Sequence, residues 1–189
     1  MNKEETIQQF TSIPSHYRLV EQRKETRNRK KVTILRFQKN GEFILNGPRI
    51  IAVFEGETMI SLKNLTATPE GKPLSPERAK EIAIEIFLKT NLSYAEQSSF
   101  IRIDNQERQF IDGDGKIKQF PVRWVKFGHS NGSYNWVTLG ANRTIIEMEV
   151  DSLWDYNRGR RKTEMWDNDD WVLAREGKGP QLPIPNALA

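Results

Sequence analysis

Cysteine is absent from this chain of 189 residues. Its absence excludes disulfides, thiolate catalysis and sulfur-ligated metal sites. Histidine is almost as scarce, and the two present, His16 and His129, are too few for the three or four ligands that zinc takes. The longest apolar run, Ile50–Phe54, is far shorter than the roughly 20 residues of a membrane-spanning helix. We therefore expect no metal site, no cofactor and no membrane span.

Nothing near the start of the chain has the pattern of a secretory signal, because no apolar segment follows the first residues. This favours a cytoplasmic location, or an extracytoplasmic one if a leader has been removed. A hydrophobic content of 37% with 29% charged residues is typical of a globular protein with a modest core.

The positive charge is concentrated in one segment. The chain carries a net charge of +4, and residues 21–31, with six basic and two acidic side chains, account for all of it. Clustered lysine and arginine are sufficient for phosphate contacts, so this segment is a candidate site for nucleic acid or another polyanion. A solvated hairpin arm is the interpretation that we favour over it. The candidate contact residues are Arg23, Lys24, Arg27, Arg29, Lys30 and Lys31.

Residues 1–66 have the pattern of a β-meander. Apolar side chains alternate with a period of two over 32–37, and turn-forming pairs such as Asn40-Gly41 and Glu55-Gly56 recur along the segment. We expect this region to be β-rich and to precede the rest of the fold.

The clearest single element is a helix over 76–89. Ser75 is a good N-cap, Pro76 suits the first helical position, and Asn91 is a plausible stop. An apolar stripe at three- and four-residue spacing requires a sheet to cover it. The stripe consists of Ala79, Ile82, Ala83, Ile86 and Phe87.

A hairpin is predicted for 120–139, because two strand-like segments flank Asn131-Gly132. With a two-residue turn, Trp124 pairs with Leu139 and Phe127 with Trp136. This register puts Trp124 and Trp136 on opposite faces, and we expect both to be mostly buried.

The remaining chain is predicted to hold a third strand at 144–150 and a tryptophan-rich segment over 151–175. Carboxylates in that segment suit cation binding or acid–base catalysis, or simply pair with nearby arginines, which is the interpretation we favour. The carboxylates are Glu164, Asp167, Asp169 and Asp170. The last residues, 176–189, are proline-rich, and we expect a mobile tail.

The segment 73–150 resembles the PepSY domain, a small cystatin-like α+β module. The resemblance is carried by the helix start Leu74–Ala83 and by the strands 121–127, 134–139 and 145–147. It implies a non-catalytic module that binds or restrains a partner protein, and it supplies no catalytic residues. We predict an α+β fold: an antiparallel sheet packed against one main helix over 73–175, preceded by the β-rich meander.

Few residues suggest catalysis. His129 lies beside Ser130 and Ser133, but no nucleophile-elbow motif surrounds either serine. Asp112-Gly113-Asp114-Gly115 lacks the later ligands of a calcium loop and is predicted to be a turn. We assign no catalytic, cofactor-binding or metal residue. The expected function is a non-enzymatic binding or regulatory module whose partner is another protein, with His129 and Tyr134 as its contact surface. Polyanion binding through 23–31 is the alternative, and a hydrolase-type enzyme comes third.

Overall fold

Eight antiparallel strands form one sheet in the computed structural model, which describes residues 2–189. The strands are β1 (Tyr17–Arg27), β2 (Lys30–Lys39), β3 (Arg49–Glu55), β4 (Thr58–Leu65), β5 (Ser98–Ile111), β6 (Ile117–His129), β7 (Tyr134–Leu139) and β8 (Ile145–Ser152). Their order in space is β1-β2-β3-β4-β8-β7-β6-β5. The helices are α1 (Lys3–Gln8), α2 (Pro76–Thr90), α3 (Leu92–Ala95) and α4 (Asp169–Arg175). A short 3₁₀ turn (Ala141–Arg143) precedes β8, and β9 (Trp154–Asp155) pairs with β10 (Arg160–Arg161).

The predicted α+β fold, an antiparallel sheet packed against one main helix and preceded by a β-rich meander, is wrong. The molecule is mostly antiparallel sheet, and the longest helix, α2, has only 15 residues. Strand β4 pairs with β8, placing Leu62 opposite Met148, so strands of the 1–66 and 73–175 ranges share one sheet. The first residue of 1–66 lies outside the described part of the chain. Buried residues follow one another along β3 and β4, as expected of central strands covered on both faces.

Helix α2 is confirmed. The Ser75 hydroxyl accepts a hydrogen bond from the backbone N–H of Arg78 at 3.2 Å, and Pro76 occupies the first turn. The whole predicted stripe is buried, and α2 contacts β6 and β7. The predicted third strand is also confirmed, as β8.

The two faces of the sheet are covered at different ends. On one face, Phe87 of α2 stacks on Phe127 of β6 with ring centroids 5.1 Å apart. On the other face, Arg36 of β2 binds Asp169 of α4 at 2.6 Å. The second face of β5 to β8 is therefore left without a helix.

The turn of the β6–β7 hairpin is one residue longer than predicted. The backbone N–H of His129 donates to the carbonyl of Ser133, and that of Gly132 donates to the carbonyl of His129, both at 2.9 Å. Gly132 has a φ of +85°, the left-handed conformation that ends a three-residue hairpin loop and that glycine adopts without strain.

The longer turn shifts the strand register, so the predicted pairing of the hairpin is wrong. Trp124 lies opposite Thr138, and Lys126 lies opposite Trp136. A shift of one residue in one strand moves every side chain to the other face relative to its partner. Trp124 and Trp136 consequently share the face without a helix, half-buried, with ring centroids 5.6 Å apart.

The C-terminal segment 176–189, predicted to be a mobile tail, lies against the preceding residues. Ala187 is fully buried, and its carbonyl accepts a hydrogen bond from the indole N–H of Trp171 at 3.2 Å. The guanidinium of Arg160 donates to the carbonyls of Leu182 and Asn186, each at 2.8 Å. Over residues 2–189, none of the helices is both long and apolar enough to cross a membrane.

Candidate binding cleft

A cleft of about 670 Å³ lies on the face of β5 to β8 that carries no helix. Its floor consists of side chains from β4 to β8, and the chain that follows β8 forms one wall through Trp154, Met165 and Pro185. Because the cleft depends on strands from both halves of the chain, it exists only once β4 has paired with β8.

Buried ion pairs form the deep part of the cleft. Glu147 of β8 is 7% exposed and accepts hydrogen bonds from Arg108 at 2.7 Å and from the hydroxyl of Thr138 at 2.8 Å. The ammonium of Lys63 lies 3.5 Å from Glu147 and 2.9 Å from Asp167. Each carboxylate is therefore matched by at least one cation at short range.

The pKa values of these buried side chains also reflect the pairing of each carboxylate with a cation. Burial alone would raise the pKa of Glu147, but Arg108 and Lys63 outweigh it and hold the pKa at about 2. Burial would likewise raise the pKa of Asp167, but the charges of Lys63 and Arg161 outweigh it, and the pKa is lowered. The pKa of Lys63 is raised by Asp167 and Glu147 in spite of its burial. These groups stay charged around neutral pH, which suits a rigid polar floor better than proton transfer.

A second carboxylate of β8 is held in the same way. Glu149, 2% exposed, accepts a hydrogen bond from Arg27 at 2.8 Å and another from Arg161. Arg161 also lies over the ring of Trp136, at 5.4 Å from the centroid. The floor thereby connects to the aromatic part of the cleft.

Aromatic rings and cations make up the outer part of the cleft. The ammonium of Lys126 lies 3.6 Å from the ring centroid of Tyr134 and 5.6 Å from that of Trp124. Arg102 approaches the same Trp124 ring at 5.8 Å, and Trp136 lies alongside. We call Arg102, Trp124, Lys126, Tyr134 and Trp136 the aromatic–cation cluster.

Lys126 is the unmatched cation of this cluster. Among the described residues, Lys126 forms no ion pair with a carboxylate. Asp104 is the one carboxylate whose charge acts on the pKa of Lys126, and it binds Arg102 at 2.9 Å. Burial lowers the pKa of Lys126, and the charge of Arg102 lowers it further.

The predicted polyanion residues are divided between ion pairs and solvent. Arg23 binds Glu25 at 2.8 Å and Glu176 at 3.0 Å. Arg27 is buried on Glu149, and Lys30 binds Glu55 at 3.0 Å. The other three, Lys24, Arg29 and Lys31, are exposed on β1, β2 and the turn between them.

The two predicted partner-surface residues lie on opposite faces of the hairpin. His129 stacks on Tyr94 with ring centroids 3.9 Å apart, and its Nδ1 accepts a hydrogen bond from the backbone N–H of Asn131. Tyr134 lies in the cleft, where its hydroxyl is 2.6 Å from that of Tyr156. The structure does not bring His129 and Tyr134 together.

The acidic residues near the C-terminus bind partners far away in the sequence. Asp167 pairs with Lys63 and Asp169 with Arg36, both in the N-terminal half.

Asp112 closes the β5–β6 turn by accepting hydrogen bonds from the backbone N–H groups of Asp114 and Lys116, both at 2.9 Å. Residues 2–189 contain no cluster of three histidine, aspartate or glutamate side chains placed to hold a metal ion.

Sequence reasoning missed the cleft, although a signal was present. The residues that reach the cleft alternate with neighbours that are mostly apolar: Trp124 and Lys126 with Val125 and Phe127 on β6, and Tyr134 and Trp136 with Asn135 and Val137 on β7. Read in the three-residue-loop register, that alternation puts all four on one face. Glu147 and Glu149 carried no such signal, since their cations come from distant strands.

Comparisons with known proteins add no relative. The chain matches no family model, no curated protein and no solved structure.

Proposed function

We propose that this protein is a non-enzymatic binding module that receives an extended segment of a partner protein in the cleft. The observation that carries the proposal is the cleft itself: half-buried tryptophans beside a floor on which acidic and basic side chains already neutralise one another. Tryptophan, tyrosine and arginine are the side chains that contribute most to binding at protein interfaces. A floor of satisfied ion pairs keeps its shape when the cleft is empty.

The length of the cleft favours an extended chain over a small molecule. Its lining follows β5 from Arg102 to Ile111. At about 3.3 Å per residue, this stretch measures roughly 30 Å, the span of about nine or ten residues of extended peptide. Its volume falls within the roughly 300–1,000 Å³ of typical binding sites.

The PepSY resemblance of residues 73–150 implies the same kind of role, and it stays a hypothesis beside this proposal. Polyanion binding through 23–31 has less support, since Arg23, Arg27 and Lys30 are engaged in ion pairs. For a hydrolase, the buried carboxylates Glu147 and Asp167 are held ionised, which disfavours a general acid at either position.

Selection from a random peptide library displayed on phage tests the proposal. Gln106 is a half-buried residue of the cleft floor, and Gln106→Trp fills the space above it. Lys24→Trp adds the same ring to exposed β1, at the far edge of the sheet, and serves as the control. Peptides selected on the parent protein should bind the Lys24 variant and lose the Gln106 variant. Equal binding to both variants, or no enrichment at all, would contradict the proposal.

A further inference from the structure

We infer that the aromatic–cation cluster binds the side-chain carboxylate of an acidic residue in the partner segment, with Lys126 as the charge that receives it. This inference rests on the proposed function and adds to it the chemistry of the ligand. Its basis is the contrast between Lys126 and the other cations of the cleft.

The cations of the floor already have carboxylate partners. Lys63 binds Asp167, Arg108 binds Glu147, and Arg161 binds Glu149. Lys126 contacts only rings at short range, although it is partly removed from water. A partly buried charge without a counter-ion is costly, and the cost falls when a ligand supplies the opposite charge.

The surroundings of Lys126 hold it ready for an anion. Tyr134 packs against the ammonium and is itself fixed by its hydroxyl contact to Tyr156. Arg102 lies directly opposite Lys126 on the neighbouring strand β5, so a second positive charge is close by. Burial lowers the pKa of Lys126 and the charge of Arg102 lowers it further, so a carboxylate beside the two cations would stabilise the charged ammonium.

The position of Lys126 along the cleft favours a side chain over a chain terminus. The lining continues one residue pair beyond the row of Lys126 and Trp136, to Tyr134 and its partner Ser152. A peptide lying along the cleft can thus pass over Lys126 and continue. An acidic side chain pointing into the floor reaches the ammonium from such a path.

Three acetylated octapeptides test the inference through the tryptophan fluorescence of the protein. The first alternates glutamate and serine and ends in an amide, the second replaces glutamate by glutamine, and the third is the glutamine peptide with a free carboxyl terminus. The glutamate peptide should bind about tenfold or more tightly than the glutamine amide, as expected for a hydrogen bond to a charged group.

Variants assign that preference to one side chain. Lys126→Gln should abolish it, whereas Lys126→Arg, which keeps the charge, should retain most of it. Lys24→Gln removes an equal charge from exposed β1 and should leave the preference unchanged. The inference is overturned if the parent protein does not prefer the glutamate peptide, or if the preference survives Lys126→Gln.

The third peptide separates the two sources of a carboxylate. If the free terminus alone confers binding that depends on Lys126, the assignment to a side chain is wrong. The proposed function fails independently, through the Gln106→Trp selection. Selected peptides that require the open cleft but ignore Lys126→Gln would refute the carboxylate subsite and leave the binding module standing.

Discussion

Replacing Glu147 by glutamine should remove a pH-dependent part of the stability. The folded-state pKa of about 2 lies below the ordinary 4.5, so the ionised form is stabilised by folding. At 1.36 kcal/mol per pKa unit, the difference corresponds to about 3 kcal/mol. Because the folded pKa is the lower one, this stability is present above pH 4.5 and is lost as the pH falls toward 2.

Urea denaturation of the parent and of Glu147→Gln measures this contribution. At about pH 6 the variant should be less stable by about 3–5 kcal/mol, because Arg108 loses its buried carboxylate partner and Lys63 keeps only Asp167. At about pH 3 the gap should narrow by about 2 kcal/mol, because the unfolded parent chain takes up a proton on Glu147 while the folded protein keeps this carboxylate ionised. Glu96→Gln, at an exposed carboxylate that forms no ion pair among the described residues, should show neither effect. Parallel stability curves for the parent and Glu147→Gln would refute the assigned ion pairs.

The remaining predictions concern packing and the basic strands. Met148→Ala, on the face toward α2, should cost about 2–5 kcal/mol in urea denaturation, whereas Trp136→Ala in the cleft should cost clearly less and impair peptide binding. Ala83→Leu should destabilise by about 1–3 kcal/mol, since Ala83 is fully buried on the sheet-facing side of α2, and an unchanged denaturation midpoint would mean that the apolar stripe of α2 faces elsewhere. Arg27→Gln should cost about 1.5–3 kcal/mol by removing one of the two arginines that bind buried Glu149, and Lys24→Gln should stay within about 0.5 kcal/mol, with a similar loss in both contradicting the buried pair. Binding of mixed oligonucleotides at micromolar concentration should be absent for the parent protein, and tight, salt-sensitive binding would revive the polyanion alternative.

Local sequence patterns were sufficient to predict an element when all of its signals lie within one short stretch of the chain. Helix α2 could be predicted because Ser75, Pro76 and the apolar stripe all lie within one short window. The fold class could not, because it depends on the pairing of β4 with β8, some 80 residues apart. The local periodicity of apolar residues does not indicate with which distant strand a β-strand will pair.

The cleft escaped prediction for two related reasons. A single extra loop residue, Ser130, puts Trp124 and Trp136 on the same face instead of opposite faces, and the Asn-Gly pair fits both loop lengths. The ion pairs of the floor join residues far apart, such as Arg108 and Glu147, and composition shows only that charges are present. Only the pairing of distant strands in the folded sheet brings these charged side chains together in the cleft.

The central claim is that the cleft is the binding site, and the indole N–H resonances of the five tryptophans test it most directly. Trp124, Trp136 and Trp154 line the cleft, whereas Trp166 and Trp171 are buried with indole N–H groups bonded to backbone carbonyls elsewhere in the fold. In NMR spectra of the isotope-labelled protein, titration with a selected peptide should shift the indole N–H resonances of the three cleft tryptophans and leave the other two in place. Shifts confined to Trp166 and Trp171, or no shift at saturating peptide, would contradict the account.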